Sequence, residues 1–195
     1  MQIQGVEKIT HRPHVNLFEI SYSDKKGRNR KWDTASRRPS AKCETGRFDL
    51  PDAVVIVAIH VELKQLVVIR EFRVPLGGYQ YGFPAGLLDS GESIEDTCIR
   101  EMQEETGLEI LRILSVSPPL YSSSGMTDES IAMVYAECNG APSNRWNESS
   151  EDIETLLISP EEAGRLCADK TLMFDVKTWL VMTDFAHTGS VRRLP

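Results

Sequence analysis

The stretch that most narrows the folds open to this chain is 86–108, GLLDSGESIEDTCIREMQEETGL. Ser93 followed three residues later by Asp96 is a helix N-cap pattern, and from Ile94 no Gly or Pro intervenes until Gly107, a C-terminal stop. A helix of about three to four turns is predicted between them. Residues three and four apart share a helical face, so Glu101, Glu104 and Glu105 crowd together, with Arg100 placed as an ion-pair partner for Glu104. Crowded like charges cost stability unless a cation gathers them. Magnesium takes hard oxygen ligands in octahedral geometry at about 2.0 to 2.1 Å, and these glutamates offer such oxygens. The loop before the helix, Pro84 to Gly91, is rich in glycine and lets main-chain oxygens approach the same ions. A glutamate pair alone is usually a solvated helix face. The joint spacing of Gly86, Glu92, Arg100, Glu101, Glu104, Glu105 and Gly107 is what points to a cation held against a diphosphate.

At 195 residues and 41% hydrophobic content the chain can bury a core, and one main domain with a small appendage is expected. A net charge of -7 argues against nucleic acid or an anionic membrane surface as partner. A small anionic substrate is compatible with that charge if metal ions and a few placed arginines reverse the local field. Cys43, Cys98, Cys138 and Cys167 have no paired-ligand spacing and no secretory leader is expected, so free buried thiols in a reducing cytoplasm are predicted. No apolar run approaches the roughly 18 to 20 residues that span a bilayer. His11, His14, His60 and His187 form no metal-ligand pattern.

Along the chain, Gln2 to Thr10, Val15 to Tyr22 and Arg30 to Ala35 alternate as short strands, with a turn at residues 23–27, and predict a small antiparallel sheet. Arg37 to Asp52 reads as a polar linker. Ala53 to His60 and Gln65 to Glu71 are apolar enough for buried strands. Further strands are predicted at Gln80 to Phe83, Ile110 to Val116, Ile131 to Cys138 and Ile153 to Ile158, and helices at Pro160 to Ala168 and Phe174 to Phe185. The domain division that follows is 1–48, an N-terminal antiparallel β subdomain, and 49–195.

The spacing from Gly86 to Leu108 is glycine-x5-Glu-x7-Arg-Glu-aliphatic-x-Glu-Glu-x-Gly-aliphatic, the complete Nudix box, and the chain resembles the Nudix hydrolases. Those enzymes cleave diphosphate bonds in nucleoside diphosphates linked to another group. The resemblance implies an α/β fold, an α/β/α sandwich around a mixed sheet, and hydrolysis that needs magnesium, with manganese as a substitute. REFRVPLGGYQYGFPAGLL from Arg70 to Leu88, with RKWDTASR from Arg30 upstream, is similar to the ADP-ribose and ADP-sugar pyrophosphatase branch. That branch implies a homodimer joined through the N-terminal sheet and a nucleoside diphosphate sugar as substrate. Carried onto this sequence, it gives Trp32 a base-stacking place, Asp33 the place of acceptor from the adenine amino group, and Arg37 and Arg73 places beside phosphate or ribose. Leu87 joins the substrate-binding set. Ala85 lends a carbonyl to a metal, Glu101, Glu104 and Glu105 lend carboxylates, and Arg100 belongs to the catalytic set. The general base in this branch comes from an acidic loop, here NRWNESSED from Asn144 to Asp152, so Glu151 is the first candidate, Glu148 the second and Glu129 the third.

Three positions depart from the branch. His14 stands where a second aromatic is usual, Gly82 replaces a glutamate, and Ser124 replaces a proline. Gly82 and Ser124 keep open a UDP-sugar, a GDP-sugar or an oxidised nucleoside diphosphate as substrate. From another class comes a sensor that binds ADP-ribose without hydrolysing it.

Overall fold

The computed structural model describes residues 1–191, which form two compact units. The first contains Met1–Asp52 together with Pro119–Ile131, and the second contains Ala53–Pro118 and the chain from Ala132 onward.

In the first unit β1 (Gln2–Lys8), β2 (Asn16–Ser23) and β3 (Asn29–Ser36) form an antiparallel sheet in that order. The β2–β3 register is set at the turn, where Asp24 Oδ1 accepts from the main-chain N–H of Lys26 and Arg28, and Oδ2 from Arg28 Nε. Those bonds, led by the Arg28 N–H, hold the Asp24 carboxyl down at about 2. The stretch read as a polar linker is structured instead. It carries the short helix α1 (Lys42–Thr45), and both Ala41 and Lys42 are fully buried. A buried ammonium must be paired, and Lys42 Nζ donates to Asp52 Oδ2 at 2.6 Å and to Ser130 Oγ at 2.5 Å. Asp52 also accepts from Arg38 Nε and the Ser130 N–H. Residues 119–131, which the sequence division leaves in the later domain, are tied in here. Ala35 N–H bonds Met126 O, and Trp32 Nε1 donates to Gly125 O at 3.2 Å.

The second unit is built on a mixed sheet. Its strands are β4 (Ala53–His60), β5 (Gln65–Arg73), β6 (Gly78–Gly82), β7 (Ala85–Leu87), β8 (Glu109–Val116), β10 (Ser130–Asn139), β11 (Ile153–Ile158) and β12 (Met173–Phe174). A two-residue strand β9 (Leu120–Tyr121) pairs with the first residues of β10. The order is β12-β6-β5-β4-β10-β8, with β11 on β5 and β7 on β4. Only β12–β6 is parallel among the registered pairs, and β5 is antiparallel to both β6 and β11. The apolar runs of β4 and β5 are buried on both faces, as their near-continuous Val and Ile content requires. The helix α2 (Ile94–Thr106) packs Cys98 and Met102 into a core of Val54, Ile56, Val67 and Val134. Helices α3 (Pro160–Ala168) and α4 (Val176–Thr188) complete the α/β sandwich expected from the sequence.

The helix predicted from Phe174 begins later. Phe174 pairs in β12 and stacks on Tyr81 at 5.2 Å, and the Asp175 carboxylate caps α4 by accepting from the N–H of Lys177 and Thr178. The β6 strand runs two residues earlier than predicted and ends at Gly82. Cys98 and Cys138 are buried free thiols, pushed up to about 12 by burial, whereas Cys43 and Cys167 are only half-buried. Among the described residues no helix is long and apolar enough to cross a membrane.

Candidate active site

The site begins with how α2 is held. Ser93 Oγ accepts from the Asp96 N–H at 3.0 Å, and Gly107, at φ 72°, ends the helix by donating to Gln103 O. That frame gives α2 a buried face of Thr97, Cys98, Glu101, Met102 and Glu105, so two glutamates share a face with two core side chains. Glu101 is 8% exposed and Glu105 6%. Carboxylates this deep have one local donor each. Glu105 Oε2 accepts from the Ala85 N–H at 3.0 Å, and Glu101 Oε1 from Arg100 Nη1 at 2.7 Å. Burial pushes both carboxyls up, Glu105 well above its usual range, and Glu151 adds its charge to the effect on each.

Opposite the helix, β7 brings the loop glycine close. A Cβ on Gly86 would lie 1.7 Å from Glu101 Oε1, so only glycine leaves the carboxylate where it is. Arg100 ties loop to helix. Its Nε and Nη2 grip both oxygens of Glu92 at 2.9 Å, Nη2 also donates to Leu87 O, and Nη1 reaches Glu101 and Glu104. Thr97 Oγ1 and the Asp89 N–H complete the shell of Glu92, whose carboxyl is held down at about 2, first by Arg100 and then by Thr97. Glu92 and Arg100 thus fix the loop against the helix, and Leu87 enters through its carbonyl while its side chain is exposed.

Among the described residues no three acidic, His or Cys side chains already converge as a metal cage, and Arg100 Nη1 engages both Glu101 and Glu104. The donor chemistry nevertheless fits a divalent cation. Glu101 and Glu105 are hard oxygen donors whose charge burial disfavours, and the bare Gly86 leaves the space that the Glu101 carboxylate occupies. A cation there would stabilise the charged forms.

The acidic loop ends beside this group. Glu151 Oε2 accepts from the Glu148 N–H at 2.9 Å, closing a turn between the two candidate bases. Of these two, Glu151 is the one whose charge bears on both Glu101 and Glu105. The loop's last residue is clamped: Tyr79 OH donates to Asp152 Oδ2 at 2.6 Å, the Phe72 N–H to Asp152 O, and Arg70 lies over the Tyr79 ring at 3.9 Å. The sequence reading missed this clamp, and it missed Glu71, whose charge also reaches Glu105. No local signal marked Glu71, because residues 66–69 of β5 are all buried and their alternation singles out neither face. Arg73 sits beside Glu71, donating from Nη1 to its Oε1 at 2.7 Å.

The other sequence candidates belong to the first unit. Trp32 borders a cavity of about 330 Å³ together with Phe48, Tyr121, Ser124 and Asp128. Phe48 and Tyr121 lie far from Trp32 in sequence, and nothing in their local pattern pairs them with it. Arg37 is ion-paired with Glu129, and Asp33 and His14 are exposed.

Comparison with known proteins bears on the same features. A NUDIX domain family model matches residues 49–180. The chain is 30% identical over 161 residues to an ADP-ribose pyrophosphatase of Saccharomyces cerevisiae, covering 78% of this chain and 68% of that one. It is 30% identical over 143 residues to an ADP-sugar pyrophosphatase of Mus musculus, covering 71% of this chain and 62% of that relative's length. The crystal structure of an ADP compounds hydrolase is similar in fold, with a TM-score of 0.67 over 87% of this chain and 83% of that one at 22% identity. The glycine loop locked to a glutamate helix by Arg100 is therefore the box of a known family, and the chain belongs to the Nudix hydrolases.

Proposed function

We propose that this chain hydrolyses the diphosphate bond of ADP-ribose or a related ADP-sugar, with magnesium as cofactor, to give AMP and a sugar phosphate. The observation that carries the reading is the pair of buried carboxylates, Glu101 and Glu105, facing a glycine that no other residue could replace without displacing one of them. The names borne by the yeast and mouse relatives support the choice of substrate.

Glu101 and Glu105, with Glu104 and the Ala85 carbonyl, would hold the cation, and manganese would substitute. When bound, magnesium offsets the diphosphate charge and lowers the pKa of the attacking water. Glu151 takes the proton as that water attacks one phosphorus; the bond from this phosphorus to the bridging oxygen breaks, and the oxygen leaves with the other phosphate. Its electrical reach to Glu101 and Glu105 favours Glu151 over Glu148, and Glu129 is engaged by Arg37. Arg100 positions the box and touches substrate only through what it holds. Arg73 serves phosphate, as does Arg37. Trp32 stacks the base, supported by the aromatic cavity it borders, with Asp33 as acceptor and His14 and Leu87 at the edge.

The first unit also serves as the contact of a homodimer in this reading. Ile3, Ile20, Tyr22 and Trp32 line an apolar groove of about 380 Å³ on one face of its sheet, in support of that role. The enzyme acts on a small molecule in the cytoplasm.

The test is product analysis after incubation with ADP-ribose and magnesium. AMP and ribose 5-phosphate are expected, with turnover lost in Glu101→Gln. Absence of AMP, against release of UMP or GMP from other sugar nucleotides, would overturn the substrate, and binding without turnover by the native chain would make it a sensor.

A further inference from the structure

Strand β5 is apolar through Ile69 and charged at Arg70, Glu71 and Arg73, all still paired within the sheet. Alternation puts Glu71 on the same face as Ile69. Their partners, Gln80 and Gly82 on β6 and Ile153 and Thr155 on β11, point the same way because directly paired residues share a face. That face meets α2, since Thr155 Oγ1 donates to the Glu105 carbonyl oxygen at 3.3 Å. Arg70, Tyr79 and Glu154, which interact with one another or with Asp152, use the opposite face. Glu71 therefore turns toward the helix that carries Glu101 and Glu105. Arg73 Nη1 pairs with Glu71 Oε1 at 2.7 Å from the rim, its side chain 51% exposed.

We propose that Glu71 is a further cation-holding carboxylate of the active site, supplied by β5 to work with Glu101 and Glu105 of α2. The assignment rests on the reading above that this site uses a divalent cation. Position 82 offers a way to separate a ligand from a mere neighbour. Gly82 lies diagonal to Glu71 on the same face, and a Cβ there would meet nothing nearer than Ile69 Cγ1 at 3.7 Å, an ordinary contact. A glutamate at 82 places a carboxylate on that face from the adjacent strand.

The experiment titrates Mn2+ into the full chain without nucleotide, reading free ion by electron paramagnetic resonance, for the wild type, Glu71→Gln, Glu71→Gln with Gly82→Glu, and Glu101→Gln. Apo melting temperatures confirm folding. Glu71→Gln is expected to weaken Mn2+ binding by about 10-fold, with no fall in apo melting temperature, and Gly82→Glu is expected to restore most of the loss. Unchanged affinity in Glu71→Gln overturns the assignment, as does a loss that a folded double variant fails to recover. Should the double variant not fold, Glu71→Gln decides alone. Glu101→Gln keeps the two levels apart. If it binds Mn2+ like the wild type, the cation reading of the whole site falls, whereas loss there with none in Glu71→Gln removes Glu71 only.

Discussion

Gly86 shows how one missing side chain can set a site. Its place in β7, paired with Val54, is ordinary for a strand, and the reason for glycine lies across the gap, where Glu101 stands in the space a Cβ would fill. Gly86→Ala is expected to lower kcat/KM by about 100-fold, because a shift of about 1 Å in a positioned group costs that much. The fold should tolerate the change, since the clash is with the end of a side chain. Steady-state kinetics beside thermal melting checks this, and equal losses in both would assign Gly86 to stability instead. Glycine, Glu92, Arg100 and the glutamates were all legible from spacing, because a helix converts sequence offsets directly into a face. Glu71 was not, since which strand faces α2 depends on the register of β5 with β6 and β11, and no local pattern contains it.

At the scale of elements, α2 carries an internal conflict. Its buried face must bury Glu105 beside Met102, and burial raises the Glu105 carboxyl well above the ordinary range. A group with a raised folded pKa contributes stability that is full below its unfolded value, near 4.3, and is lost as pH rises through the folded value. With chelator present, Glu105→Gln should therefore gain melting temperature relative to the wild type as pH rises from about 4 upward. Magnesium should then stabilise the wild type and leave the variant unmoved. A difference in melting temperature that is flat with pH would refute this account of α2. The acidic loop poses a simpler case. Tyr79→Phe removes the hydroxyl that holds Asp152 while keeping the ring between Arg70 and Phe72. Hydrogen exchange at the Phe72 amide, which donates to Asp152 O, should accelerate several-fold, with the β11 amides unchanged. No change at Phe72 would mean the main-chain bonds suffice. The longer strands and helices were readable here, but the short elements α1, β7, β9 and β12 and the start of α4 were not. The apolar run through Phe174 suits a helix, and the parallel pairing of β12 with β6 overrides it until the Asp175 cap.

For the molecule as a whole, the division into units is not a single cut in the sequence. The chain leaves the first unit after Asp52, returns at Pro119 and leaves again after Ile131. Composition suggested a boundary near residue 48 because Arg37 to Asp52 is polar, yet its polarity serves burial: Lys42 is fully buried only because Asp52 and Ser130 satisfy it. A return segment of thirteen residues carries too little periodicity to announce where it belongs. The bonds decide it, with Trp32 reaching Gly125, Ala35 reaching Met126 and Lys42 reaching Ser130. A chain that begins at Asp49 would keep 119–131 and lose every one of those partners. Limited proteolysis with chymotrypsin, read by mass spectrometry, should then cut rapidly after Tyr121 or Met126 in the shortened chain and slowly in the full one. Within the full chain, Lys42→Met should open the same bonds at a cost of about 3 to 5 kcal/mol, the penalty for leaving Asp52 buried without its ammonium. Equal cleavage of the shortened and full chains would mean that 119–131 holds its shape without the N-terminal sheet, and that the first unit is an assembly of independent pieces.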